Sequence, residues 1–118
     1  MEKIVRQALL YDFYGELLTE HQKSIYSDIV QNDLSYSEVA RDEGISRQGV
    51  FDLVKRCDKI LEDYESKLQL VEKFLDTRER VNRIHELATE LKAMTDRQDL
   101  KEKMNEIELI SKAIYESY

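Results

Sequence analysis

Residues 34–54, LSYSEVARDEGISRQGVFDLV, end one helix and begin another within three residues, in a chain that contains no proline. Ser35 and Glu38 stand at capping-box spacing: the serine oxygen accepts an N–H of the first turn, and the glutamate accepts the N–H of the cap residue. Gly44 supplies the left-handed dihedrals that let a helix stop without a side-chain clash. Ser46 then satisfies the free N–H groups of the next helix. Counted from Tyr36, the fifth residue is small (Ala40), the ninth is the turn glycine, and the tenth, fifteenth and eighteenth are apolar (Ile45, Val50, Leu53). Each has a steric reason in a helix-turn-helix. Ala40 sits where the two helices nearly touch, Val50 and Leu53 pack under the first helix, and Ile45 is expected to dip into the core.

The flanking chain reads as more helix. A first helix is expected over residues 2–14, with Ile4, Ala8 and Tyr11 on one stripe and Val5, Leu9 and Phe13 beside it. Gly15 is expected to stop it in a left-handed conformation. Thr19 and Gln22 make another capping box, opening a helix to residue 30 that buries Ile25, Ile29 and Tyr26. The short third helix, 36–43, buries Val39 and Ala40. The fourth helix has the strongest periodicity: Val50, Val54, Cys57, Leu61, Tyr64, Leu68, Val71 and Leu75 alternate steps of four and three, an apolar seam of more than three heptads. Thr77 is expected to cap a further helix with Val81, Ile84, Ala88 and Leu91 on one face. A break at residues 95–98 precedes a last helix over 99–115 with Leu100, Met104, Ile107 and Ile114 on its stripe.

The fold class is therefore all-α: a four-helix domain holding the helix-turn-helix, residues 1–60, and an extended helical C-terminal tail, residues 61–118, continuous with helix four. Its stripes need a cover: a homodimer held by the tail is the expectation, the alternative being a monomer whose tail folds back on helix four.

Composition narrows the function classes. Apolar residues make up 42% and charged residues 36%, enough to build a core and too many for a disordered chain. No apolar run spans a membrane, the N-terminus lacks a secretory core, and Cys57 is the single cysteine; a cytoplasmic location is expected. His21 and His85 have no partner at metal-ligand spacing, no phosphate-binding glycine loop is present, and Cys57 lies on the apolar seam. No cofactor, metal or enzymatic activity is expected. The net charge of −7 is unevenly spread, and residues 35–60 carry five basic and five acidic side chains. The least acidic segment is the helix-turn-helix.

Its second helix presents Ser46, Arg47, Gln48, Phe51, Asp52 and Lys55 to a partner. Arg47 suits guanine and Gln48 suits adenine, and Lys55, Arg56 and Lys59 suit phosphates. Gly49 and Phe51 depart from a standard reading surface, and Asp52 would repel phosphates. The face is open to three uses: duplex DNA or structured RNA, with Phe51 on a thymine methyl or an unstacked base; a protein surface anchored by Phe51; or a scaffold alone.

The stretch LTEHQKSIYSDIV…LSYSEVARDEGISRQGVFDLVKRCDKIL resembles the promoter-reading fourth region of bacterial sigma factors. The whole chain, from MEKIVRQALLYDFYGELLTEHQ through GISRQGVFDLVKRCDKILEDYESKL, resembles the small YlxM-type proteins of Gram-positive bacteria, whose genes sit beside those for signal-recognition-particle GTPases. The resemblance implies a cytoplasmic regulatory protein tied to the signal recognition particle pathway, with that particle's components as candidate partners. It departs from the sigma pattern at Gly49, where Thr or Ser is usual, and at Phe51, where a basic residue is common.

Overall fold

The computed structural model describes residues 1–117, and its regular structure is helical throughout. Six α-helices follow in order: α1 Lys3–Tyr14, α2 Glu20–Val30, α3 Tyr36–Glu43, α4 Arg47–Leu68, α5 Leu70–Ala93 and α6 Gln98–Ser117, with a 3₁₀ turn at Gly15–Leu17. The chain divides into two compact units, Met1–Val71 and Glu72–Tyr118.

In the first unit α4 is the central element and packs against α1, α2 and α3. Ile25, Tyr26, Val39, Val50, Cys57 and Leu61 are almost wholly buried. The capping boxes form as the spacing predicts. Thr19 Oγ1 accepts from the Gln22 amide at 3.2 Å, and Gln22 Oε1 accepts from the Thr19 amide at 3.0 Å. Ser35 Oγ accepts from the Glu38 amide at 3.1 Å, with the reciprocal bond at 3.3 Å.

Several expectations about faces are corrected. In α1 the buried residues are Leu10 and Tyr14, while Ile4 and Val5 stay exposed. Polar bonds to α4 flank that buried pair. Arg6 donates two hydrogen bonds to Glu62 at 2.6 and 2.8 Å, and Gln7 donates one to Asp58 at 2.9 Å. The Gln7–Leu10–Tyr14 line, rather than the Ile4–Ala8–Tyr11 stripe, faces α4, with these bonds at its margin. Gly15 is right-handed (φ −57°); its missing side chain makes room for the Tyr11 ring, which a Cβ would approach to 2.9 Å. Ile45 is exposed and does not enter the core.

The seam running to Leu75 is not one helix. α4 ends at Leu68, and Gln69 takes a left-handed conformation (φ 55°) before α5 begins. Glu65, one position past the seam residue Tyr64, is buried, and Leu68 is exposed. The Glu65 carboxylate accepts from the Tyr14 hydroxyl at 2.6 Å and from the Val71 amide at 3.0 Å, and the Tyr14 oxygen accepts from the Leu70 amide at 3.1 Å. The first N–H groups of α5 lack intrahelical acceptors. Here side chains from α1 and α4 satisfy two of them.

Thr77 lies inside α5 and caps nothing. In the second unit Val81 and Ala88 are buried as expected, but Ile84 and Leu91 are exposed. In α6 the buried residue is Ser111, and Ile107 and Ile114 are exposed. α5 and α6 run antiparallel, since Thr89 bonds Glu108 at 3.3 Å and Lys92 bonds Asn105 at 2.9 Å. Arg78 lies over the Tyr115 ring at 4.1 Å. None of the helices, among the described residues, is long and apolar enough to cross a membrane.

Candidate nucleic-acid interface

The turn between α3 and α4 is built from backbone outward. Gly44 is left-handed (φ 69°), its N–H donates to the Ala40 carbonyl, and the Ile45 amide donates to the same oxygen at 3.1 Å. Two N–H groups beyond α3 thereby close the helix on a single carbonyl. Ser46 is extended, and its Oγ accepts from the Gly49 amide at 2.9 Å. A Cβ on Gly49 would lie 3.2 Å from that oxygen, so the glycine keeps the cap uncrowded. Val39, Ala40, Val50 and Val54 are buried at the crossing, and Leu53 is half-buried.

With Val50, Val54, Cys57 and Leu61 on the core side, a 100° advance per residue turns positions 48, 51, 52, 55 and 59 the other way, whereas 47, one turn before Val50, lies at the border of the core side. Ser46, Arg47, Gln48, Phe51, Asp52, Lys55, Arg56 and Lys59 are all exposed. Gln48, Phe51, Asp52, Lys55 and Lys59 share the side of α4 away from the core, Arg56 flanks it, and Ser46 and Arg47 are exposed at the start of the helix.

Several are already engaged. Gln48 donates to Asp52 at 2.9 Å, one helical turn on. The side-chain amide suited to adenine is thus held along the helix, and part of the Asp52 charge is spent on it. Phe51 is met edge-on by Tyr36 of α3, with ring centroids 6.1 Å apart and planes at 70°. The Lys55 ammonium lies 5.2 Å from the Phe51 centroid, a cation–π contact worth about 0.5–1 kcal/mol at an exposed site. Lys59 faces Asp63 at 3.6 Å. That pair is solvent-exposed and worth roughly 0–1 kcal/mol. Arg47 and Arg56 have no ion-pair partner among the described residues.

Tyr36 was missing from the sequence-derived face. Its place at the first position of α3, fifteen residues before Phe51, is a long-range relation that no local spacing marks. Behind the face, Tyr26 donates to Asp58 at 2.6 Å, and burial, helped by that bond, pushes its phenol well above the usual tyrosine range. Burial also pushes the Cys57 thiol up to about 11. Among the described residues, no group of three or more His, Cys, Asp or Glu side chains is placed to hold a metal ion.

A capped short helix, a left-handed glycine and a second helix with one bare face define a helix-turn-helix protein. Residues 1–107 match the family described as "Putative helix-turn-helix protein, YlxM / p13 like", and the chain belongs to this family, UPF0122. It is 44% identical over 89 residues to UPF0122 protein YlxM of Bacillus subtilis (strain 168), covering 75% of this chain and 81% of that one. A UPF0122 protein of Bacillus velezensis is 43% identical over 91 residues, covering 77% and 83%. One from Bacillus thuringiensis is 41% identical over 90 residues, covering 76% and 82%.

Proposed function

We propose that this chain is a non-enzymatic, cytoplasmic regulator that binds nucleic acid, duplex DNA or structured RNA, through the exposed side of α4, and that it works as a homodimer in the signal recognition particle pathway. The observation that carries the reading is the exposed, cap-anchored side of α4, with Lys55 on it, Arg56 at its flank and Arg47 at the helix start, neither arginine in an ion pair among the described residues. Ser46, Arg47, Lys55, Arg56 and Lys59 meet phosphates or base edges, while Gln48 and Phe51 meet bases. The pathway is supported by the likeness to YlxM-type proteins and their gene neighbourhood.

The test is binding of duplex DNA and of a structured RNA across a range of salt concentrations. The intact protein should bind at low salt and lose affinity steeply as salt rises. Arg47→Ala with Lys55→Ala should weaken binding at least tenfold and lower the log–log salt slope by about 2, one for each phosphate no longer neutralised. No association at low salt with either nucleic acid would end this reading.

A second reading has its own support. Phe51 is braced by Tyr36 and Lys55, and an aromatic held rigidly at a surface suits a protein anchor. On that reading the partner is a protein component of the targeting particle or its GTPase. Phe51→Ala then abolishes capture of that component, while Arg47→Ala does little.

A further inference from the structure

We infer that the α5–α6 hairpin docks face to face with the same hairpin of a second copy, through one flank of aliphatic side chains; this rests on the homodimer reading above and names its surface. On the inside of the hairpin Val81 of α5 is buried near Ser111 and Tyr115 of α6. Ala88 and Ser111 are its small buried residues, and Thr89 and Lys92 bond Glu108 across it at 3.3 and 3.2 Å. The seam residues on α5 therefore include His85, Ala88 and Lys92, and those on α6 include Glu108, Ser111 and Tyr115.

The aliphatic residues stand one position before each of these. On α5 they are Ile84, Leu87 and Leu91; on α6 they are Ile107, Ile110 and Ile114. One residue is a 100° turn. In two antiparallel helices, the same turn away from the seam lands on the same flank. The Thr89–Glu108 and Lys92–Asn105 pairs set the register, which puts Leu87 level with Ile110, Leu91 with Ile107, and Ile84 beside Ile114. All six are 39–54% exposed. Met94 extends the block at 79% exposure. Leu109, 69% exposed, follows Glu108 and so lies on the opposite flank.

A second copy is the occupant that fits. Both helices repeat the three-then-four spacing that lets knobs enter holes of a facing helix. A flat two-helix face of this kind is completed by another two-helix face, giving a four-helix bundle. The exposed aliphatic surface is on the order of 600 Å², at the top of what a monomer leaves in one patch and most of the ~800 Å² per side of a standard interface. The block is bounded by Arg83 and Glu90 on α5 and by Lys103 and Glu106 on α6. Arg83 and Glu90 pair within α5 at 3.7 Å, which leaves Lys103 and Glu106 of α6 as the unlike charges that a two-fold axis can set against each other.

Sedimentation equilibrium of the full chain tests this. The expected mass is twice the 14.0 kDa of one chain. Leu87→Glu with Ile110→Glu should raise the dimer dissociation constant at least 100-fold with helix content by circular dichroism unchanged, whereas Leu109→Glu should leave the dimer intact. A wild-type monomer at all concentrations overturns the homodimer itself. A dimer that survives the double substitution overturns this surface and leaves the homodimer standing. A milder pair guards against misfolding. With Cys57 buried, a single cysteine from Ile110→Cys should be joined to its twin by a bis-maleimide at low concentration, and one from Leu109→Cys should not. Equal cross-linking of the two also overturns the surface.

Discussion

At the scale of single residues, burial decides chemistry. Cys57 has no solvent exposure, and burial first, then the neighbouring Asp58 charge, pushes its thiol up to about 11. The thiolate is the reactive form, so at neutral pH Cys57 is both hidden and protonated. Its reaction with an aromatic disulfide should run at least 100-fold slower in the native protein than in denaturant, at a rate set by opening of the core. Rapid labelling of the native protein would show that α4 does not pack as described. Glu65 is the opposite case, a polar side chain kept inside by its partners. Glu65→Ala strands the Tyr14 hydroxyl and the Val71 amide in a buried site, and should cost about 2–3 kcal/mol in chemical denaturation. A loss under about 0.5 kcal/mol, below the worth of one ordinary hydrogen bond, would mean that this carboxylate does not hold the start of α5.

At the helix ends, the two left-handed caps behave differently, a third left-handed residue, Asp33, lying in the turn after α2. Gly44 ends α3 with a residue that adopts φ 69° freely, and Gln69 ends α4 with one that does not. A left-handed conformation costs an L-residue roughly 1–2 kcal/mol. Gln69→Gly should therefore raise stability by about 0.5–1 kcal/mol, the strain relieved being offset by the greater freedom of glycine in the unfolded chain. Gly44→Ala should lower it by roughly 1–2 kcal/mol. Both are read from denaturation midpoints. Equal effects of the two would show that the break at Gln69 is not strained.

For the whole molecule, charge sets the terms of any binding. The chain carries a net −7, and an acidic protein approaches a phosphate backbone against its own field. Only the local balance around α4 favours contact, and the Debye length at physiological salt is about 8 Å. Association with duplex DNA or structured RNA is accordingly expected to be weak near physiological ionic strength and clear at low salt. A salt-independent affinity would point to the aromatic, protein-binding use of Phe51. Dimerisation raises the effective concentration of a second α4 face, so Leu87→Glu with Ile110→Glu should also weaken nucleic-acid binding.

What the sequence determined by itself is local. Both capping boxes, the Gly44 turn, the Ser46 cap, the break near residues 95–98 and the exposed side of α4 were legible because each depends on a side chain meeting backbone a few residues away, or on one helix's own period. What only the tertiary structure decided is which of several comparable faces turns inward and where a helix is cut. Ile4 and Val5 gave up the core to Leu10 and Tyr14, the latter buried with its hydroxyl on the Glu65 carboxylate of α4. The seam through Leu68 and Val71 was cut at Gln69 because Tyr14, more than fifty residues earlier, arrives with Glu65 to satisfy the N–H groups of a new helix. Tyr36 reached Phe51 by the same kind of meeting. A hydrogen bond between distant residues leaves no periodic trace in the chain, and it exists only once the helices are brought together.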